Sequence, residues 1–397
     1  MKKIIIVNSN MKVGGVQKSL CNLLWELDKK EGYEVTLLLF NPVGDYMDSI
    51  PPSVKCISTQ SLFRCIGSSQ AQMRGFDRFK RGFLVAVCRA FGMSAAMKFI
   101  LKSQKTLPDS YDCAIAFLHN GANRSFLGGA QEFVLHRVNA KKKIAFLHCD
   151  YDKCGANHKR NNDLIAGFDV IAACSDGCRG VFDHTLMYLA HKSATVRNCN
   201  NIQQIRTMAE IDTVMYDPDC LNLLCVARLS PTKGIDRAIK AVDEALKKGI
   251  SVKLHILGSG VMETELRALA KERGLDGHVI FYGEQPNPYR FMKNADMFLL
   301  TSFHEAAPMV IDEAYILGVP TLTTRTTSSD EMVTARNCGW VCENDQDSLN
   351  QKLLELLNDR QAIYGVKEKL ADRVVSNDLA IAQFMDIVNL KNTKNED

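Results

Sequence analysis

Short, wholly apolar runs recur along the chain, each closed by glycine or polar residues and followed by a stretch of helical periodicity. Lys3–Val7 reads as a first strand, Gly14-Gly15 as a tight loop, and Val16 to Lys30 as a helix with Leu20, Leu23, Leu24 and Leu27 on one face. Glu34–Phe40, Cys113–Phe117, Ile144–His148 and Val170–Cys174 supply further strands. The pattern then repeats with Asn222–Ala227, Val252–Leu257, His278–Gly283 and Met297–Leu300, and closes with helices at Asp347–Asn358, Gln361–Val375 and Leu379–Leu390. Strands alternating with helices predict an α/β protein whose sheets are mainly parallel and covered on both faces. The series breaks between Asn198 and Asp219, where a helix and a polar connection intervene before Leu221 opens the second sheet. The tail Lys391–Asp397 has too little apolar content to order.

The second series carries the chemistry. Met297-Phe298-Leu299-Leu300 is followed by Glu305-Ala-Ala-Pro-Met-Val-Ile-Asp-Glu313, which reads as strand, acidic loop and helix, before Leu317-Gly318-Val319-Pro320 leads into a new strand. Pro308 suits the first turn of that helix, where an N–H has no partner to lose. The N–H groups of Met309, Val310 and Ile311 then point into the loop and form a natural phosphate site. Glu305 lies beside that phosphate, and Glu313, more than a turn inside, is placed to grip diol oxygens further along the same ligand. Upstream, Asn222–Ala227 ends in Arg228-Leu-Ser-Pro-Thr-Lys233-Gly234. Two cations at the carboxyl end of a parallel strand suit a diphosphate, although taken alone they read more readily as a solvated loop. Gly258-Ser-Gly260 closes the next strand and permits close backbone approach, and Gly283 ends the strand after it.

The ordered series Arg-x4-Lys-Gly, Gly-x-Gly, Phe-x-Gly, Glu-x7-Glu and Gly-x-Pro resembles glycosyltransferase family 4 over roughly Asn222 to Cys342, and more weakly upstream. The resemblance implies the GT-B fold, two Rossmann-like domains facing across a cleft with the last helix returning to the first domain. It divides the chain into an acceptor-side domain, residues 1–200 plus about 377–397, and a donor-binding domain, 201–376. It further implies retaining transfer of a sugar from a nucleoside diphosphate, UDP being the family's most frequent donor base, to an acceptor hydroxyl of a glycan or lipid-linked acceptor. Arg228 and Lys233 then stabilise the leaving phosphate with Met309–Ile311, Glu305 holds the donor sugar, and Glu313 the ribose. Gly283 borders the base, Gly14-Gly15 lies against the diphosphate and the acceptor, and His148 lines the sugar or acceptor side. The family is metal-independent, so neither cofactor nor metal is expected. Glu305-Ala306-Ala307-Pro308 departs from the family's Glu-Gly-x-Pro, which narrows backbone freedom beside the sugar and leaves the donor open. A nucleotide-sugar 2-epimerase on the same scaffold needs added acids and bases around the sugar, which are not evident. A non-catalytic partner of a glycosyltransferase is marked by loss of Arg228, Lys233 or Glu313, and all are present.

Composition narrows the setting. A chain of 397 residues accommodates two or three domains, and no apolar run approaches the ~20 residues that span a bilayer. The apolar start Ile4–Val7 is too short for a signal peptide and is followed by Asn8-Ser-Asn10. Fourteen cysteines show no paired framework, as expected of reduced thiols in a cytoplasmic protein. His148, Cys149, Asp150, Asp152, Cys154 and His158 crowd together but lack the paired spacing of structural zinc sites; His148 also ends a strand, where the family resemblance implies a histidine in the cleft. The nearby His119 reads as a satisfied loop histidine. Net charge is only +4, yet Arg64 to Lys105 holds Arg64, Arg74, Arg78, Lys80, Arg81, Arg89, Lys98, Lys102 and Lys105 against the single acid Asp77, interleaved with phenylalanines. That pattern suits either a core-facing helix with a solvated basic face or a peripheral contact with the anionic inner face of a membrane. No nucleic-acid recognition motif accompanies it.

Overall fold

Strands buried on both faces organise each of two units in the computed structural model, which describes residues 1–389. One unit comprises Met1–Cys199 with the C-terminal segment from Asn377; the other is Asn200–Ser376. The tail expected to stay unordered, 391–397, lies outside the described residues.

In the first unit, β1 (Lys2–Asn8), α1 (Gly15–Asp28), β2 (Tyr33–Leu39) and β3 (Lys55–Ser58) are followed by α2 (Gly75–Phe91) and α3 (Met93–Lys102). Then come β4 (Ser110–Ala116), α4 (Ala130–Arg137), β5 (Asn139–Leu147), α5 (Lys159–Ile165), β6 (Val170–Ala173), α6 (Asp176–Thr185) and β7 (Ser193–Thr195). The seven-stranded sheet has the order β3-β2-β1-β4-β5-β6-β7, with every pair parallel. Alternation along β1 sends Ile5 and Val7 into one core with Phe40, Phe63 and Phe133, and Ile4 and Ile6 into the other with Leu20, Leu24 and Leu27. Both faces are therefore covered, as an all-parallel sheet requires. Edge strand β3 is largely exposed and has no apolar run, so the sequence pattern does not announce it.

The second unit contains α7 (Ile202–Glu210), β8 (Leu221–Val226), α8 (Ile235–Lys247), β9 (Val252–Leu257), α9 (Glu263–Glu272), β10 (Val279–Gly283), α10 (Tyr289–Met292) and β11 (Met297–Leu300). It continues with α11 (Met309–Ile316), β12 (Thr321–Thr324), β13 (Gly339–Cys342), α12 (Gln346–Asn358) and α13 (Arg360–Ala371). Its six parallel strands run β10-β9-β8-β11-β12-β13. The last described helix, α14 (Asp378–Asn389), belongs to the first unit: Ala380, Ile381, Phe384, Ile387 and Val388 enter the core behind Ile4 and Ile6. Lys142 from β5 donates to the Ile387 carbonyl at 3.1 Å and helps to hold the helix end.

In both sheets the chain reverses its direction of travel at one place, between β1 and β4 in the first and between β8 and β11 in the second. Loops leaving the carboxyl ends of the two strands diverge there and leave a crevice, where open α/β sheets bind ligands.

Candidate functional site

The second reversal point is bounded by the loop after β8, with Arg228 and Lys233, and the loop after β11, with Glu305. The two loops are joined by hydrogen bonds: Phe303 N–H donates to the Thr232 carbonyl at 2.9 Å, and the Thr301 hydroxyl donates to the Gly234 carbonyl at 2.7 Å. Gly234 has φ 58°, and a Cβ there would overlap the Thr301 carbonyl, so this contact demands glycine. The join places Lys233 Nζ 2.5 Å from Glu305 Oε1, and Ser302 Oγ donates to the same oxygen at 2.7 Å. Glu305 is thus fixed by two donors beside a lysine that still has ammonium hydrogens to offer.

Arg228 is held differently. Leu229 N–H donates to the Ser259 carbonyl at 2.8 Å, and Met262 N–H to the Leu229 carbonyl at 3.0 Å. Any Cβ on Gly258 or Gly260 would run into the backbone of Ala227 or Leu229. The close approach expected at Gly258-Ser-Gly260 is therefore to the protein's own Arg228 loop. Gly258 N–H also donates to the Gly283 carbonyl at 2.7 Å, and Gly283 turns the chain with φ 69°. Among the described residues the exposed Arg228 guanidinium makes no hydrogen bond or ion pair, which leaves all its donors for an anion.

Pro308 is the residue before α11 rather than its first helical residue, with ψ 118°, and no side chain caps the helix. Ile311 N–H is engaged, donating to the Pro308 carbonyl at 3.1 Å, because the first turn tightens. Of the three N–H groups expected to face a phosphate, those of Met309 and Val310 remain without an acceptor among the described residues. Glu313 sits inside α11 and is 2% exposed. Arg237, a buried cation of α8 outside the expected site residues, bonds Asn344 Oδ1 at 2.7 Å and lies 4.6 Å from the Phe303 ring, bracing the base of the Glu305 loop. An arginine in a helix carries no sequence signal for such a role; only the fold brings Phe303 and Asn344 to it.

In the first unit, Gly14 precedes α1 in extended backbone with no side-chain cap. A Cβ on Gly15 would meet nothing within 4 Å, and one on Gly14 would meet only the Gln17 side chain. Packing within the unit therefore demands neither glycine. His148 follows β5 and lies with its ring centroid 4.6 Å from that of Phe117 and 5.6 Å from that of Phe146. Its ring is partly exposed, but Nε2 is sealed from solvent and has no hydrogen-bond partner. Burial, and then the neighbouring His119, push its pKa down to about 3, so it is a neutral imidazole at pH 7.

The crowded segment after β5 separates. Asp150 closes a turn by accepting from the N–H groups of Asp152 and Lys153, and His158 caps α5. Cys149 and Cys154 meet with their sulfurs 3.0 Å apart. His119 is not the satisfied loop histidine expected: its Nδ1 is sealed from solvent with no partner, and burial lowers its pKa to about 4.

The basic stretch forms two helices, broken where Gly92 takes φ 83°. Leu84, Cys88, Met97 and Ile100 face the core. Phe76, Phe79 and Phe91 are 70%, 70% and 78% exposed, with Phe83 and Phe99 half-exposed beside them. Arg81 turns inward, donating to the Cys65 and Ser68 carbonyls and to Gln70, so it does not belong to the basic surface. No helix among the described residues is long and apolar enough to cross a membrane.

The family model for glycosyl transferases group 1 matches residues 218–377, a span that begins just before β8 and takes in the whole second sheet and its loops. Over that span the chain is similar to this family. The amylovoran biosynthesis glycosyltransferase AmsK of Erwinia amylovora is 30% identical over 145 residues, 34% of this chain and 36% of AmsK. The lipopolysaccharide glucosyltransferase WaaG of Escherichia coli K12 is 29% identical over 161 residues, 35% of this chain and 42% of WaaG. The chain thus spans well under half the length of the curated relatives it matches. Similarity in structure extends further. A solved WaaG structure covers 98% of this chain and 100% of its own at a TM-score of 0.62 and 16% identity. A variant of TarM from S. aureus, solved with fondaparinux, alpha-GlcNAc-glycerol and UDP, covers 98% and 100% at 0.69 and 13%. These likenesses show the fold, the two Rossmann-like units of the GT-B class.

Proposed function

We propose that the protein is a retaining glycosyltransferase that moves a sugar from a nucleoside diphosphate, UDP in the first instance, to an acceptor hydroxyl in surface polysaccharide or glycolipid assembly. The observation that carries this reading is the Lys233–Glu305 pair, held with the unpartnered Arg228 guanidinium and the uncapped start of α11 around the reversal point of the second sheet. Breaking a sugar–phosphate bond builds negative charge on the leaving diphosphate. Arg228, the remaining ammonium hydrogens of Lys233 and the N–H groups of Met309 and Val310 offer fixed positive charge to meet it. Glu305, fixed by Lys233 and Ser302, orients the hydroxyls of the donor sugar, and Glu313 serves the ribose. Gly14 and Gly15 leave backbone room beside the ligand, and neutral His148 offers a hydrogen bond but no charge. The acceptor's proton passes to an oxygen of the leaving phosphate. No step is routed through a metal.

The exposed phenylalanines of α2 and α3, with the exposed Arg74, Arg78, Arg89, Lys98 and Lys102 on or beside the same two helices, suit insertion into an anionic leaflet that presents a lipid-linked acceptor. The function is tested by unfolding the protein with UDP, GDP, ADP or CDP present. UDP at a hundred times its dissociation constant should stabilise by ~2.7 kcal/mol, and UDP-sugar with membrane extract should release UDP. Indifference to every nucleoside diphosphate would sink the reading.

A further inference from the structure

The carboxyl edge of the first sheet holds a group of side chains for which the proposed transfer has no use. Neighbouring parallel strands β4 and β5 pair Ala116 with Ala145, so the residues that follow each strand emerge side by side. His119 leaves the end of β4, while Cys149 leaves the end of β5 and Cys154 returns to it through the next turn. A ring nitrogen of His119 and the sulfurs of Cys149 and Cys154 all lie within 4.8 Å of one another. His119 Nδ1 is sealed from solvent without a hydrogen-bond partner, a costly arrangement for a buried polar atom. The sulfurs stand 3.0 Å apart, farther than the ~2.05 Å of a disulfide. Two thiolates each ~2.3 Å from a tetrahedral zinc ion sit somewhat farther apart still, a change that side-chain rotation supplies.

We propose that His119, Cys149 and Cys154 form a zinc site with three protein ligands, left open on the solvent side where His119 and Cys154 are partly exposed. Two thiolates and an imidazole are the donor set of a borderline-soft divalent cation. The unpartnered histidine is what favours a metal over a plain thiol pair, since a disulfide makes no use of it. Buried Cys149 fixes one ligand, and the partial exposure of the others gives the ion a way in.

The test uses the full chain, reduced and stripped of metal, titrated with Co²⁺ alone as a spectroscopic stand-in for Zn²⁺. The expected result is stoichiometric uptake with thiolate-to-cobalt charge-transfer absorption that Zn²⁺ bleaches. Cys149→Ser and Cys154→Ser should each abolish the absorption, and His119→Gln should weaken binding by more than the ~10–100-fold that outer partners of a metal cost. Replacing the exposed Cys56 by Ser should change nothing. Metal-free unfolding curves establish that each variant folds; if Cys149→Ser does not, His119→Gln and Cys154→Ser decide the matter. Absence of the charge-transfer band in the wild type overturns the proposal. So does a band that survives all three substitutions, or a Cys149–Cys154 disulfide in the isolated protein whose reduction brings no metal uptake.

Discussion

The two sheets share their strand order over six strands, the first adding a seventh, and each reverses once, yet the glycines in the loops that leave β1 and β8 are held differently. In the second unit the loops bond to one another: Gly234 fits only against Thr301, Gly258 and Gly260 fit only against Ala227 and Leu229, and Lys233 closes on Glu305. In the first unit, Gly14 and Gly15 touch almost nothing, and His119 and His148, which follow the neighbouring strands, each seal one ring nitrogen without a partner. Topology fixes where a ligand can bind, while loop packing decides whether the charges there are fixed in advance. Gly234, Gly258 and Gly260 serve the packing of the Arg228 and Glu305 loops, whereas packing within the first unit does not require Gly14 and Gly15.

The sharpest test of that contrast removes the fixed charges. Lys233→Ala and Arg228→Ala should each lower turnover by on the order of 10²–10³-fold, as loss of a fixed donor to developing charge does, with a smaller change in donor affinity. Steady-state and single-turnover rates read this, and unchanged turnover would remove the role. Next in size, Gly258→Ala forces an L residue to φ 129° and into the Ala227 carbonyl, and should destabilise by roughly 1–3 kcal/mol. Gly15→Ala should leave stability unaltered and weaken ligand binding instead. Equal melting shifts for the two variants would erase the distinction.

Acid provides a third test, confined to the second unit. His255 is held by Asn222 Oδ1 and the Tyr282 hydroxyl, each at 3.1 Å, under the ring of Tyr216. Burial, and then Lys253, lower its pKa to about 4. The unfolded chain, with a histidine pKa of ~6.5, binds the proton first as pH falls. The stabilising contribution is therefore complete above ~6.5 and lost as pH falls toward about 4. Urea midpoints of wild type and His255→Gln should converge over that interval; parallel curves would refute it. The smallest effect is expected at the basic surface. Arg78→Gln should weaken binding to anionic vesicles by ~1 kcal/mol, less at high salt, while leaving UDP binding alone. Phe76→Ser with Phe79→Ser should reduce binding further. Equal sedimentation with neutral vesicles would leave only a structural helix.

The strands were legible wherever burial on both faces demands a continuous apolar run, as at Ile4–Val7 and Leu223–Val226. Edge strand β3 was not, because one covered face and short length leave no pattern to read. The basic stretch was legible as amphipathic, but its break at Gly92 and the inward turn of Arg81 depend on Asn123, Cys65 and Ser68. The spacing around Glu305 and Glu313 pointed to an acidic loop running into a helix. The tightened first turn that engages Ile311 N–H depends on local geometry that spacing does not encode.

Periodicity and composition are local properties, and they suffice for the α/β class, the repeated strand series and the residue types suited to a diphosphate. Tertiary structure decided which of those residues meet. Lys233 reaches Glu305 across 72 positions because β8 and β11 are neighbours in the sheet. His119 reaches Cys149 and Cys154 because β4 and β5 are. Strand order is set by how whole faces bury against each other, and no local window of sequence contains that choice.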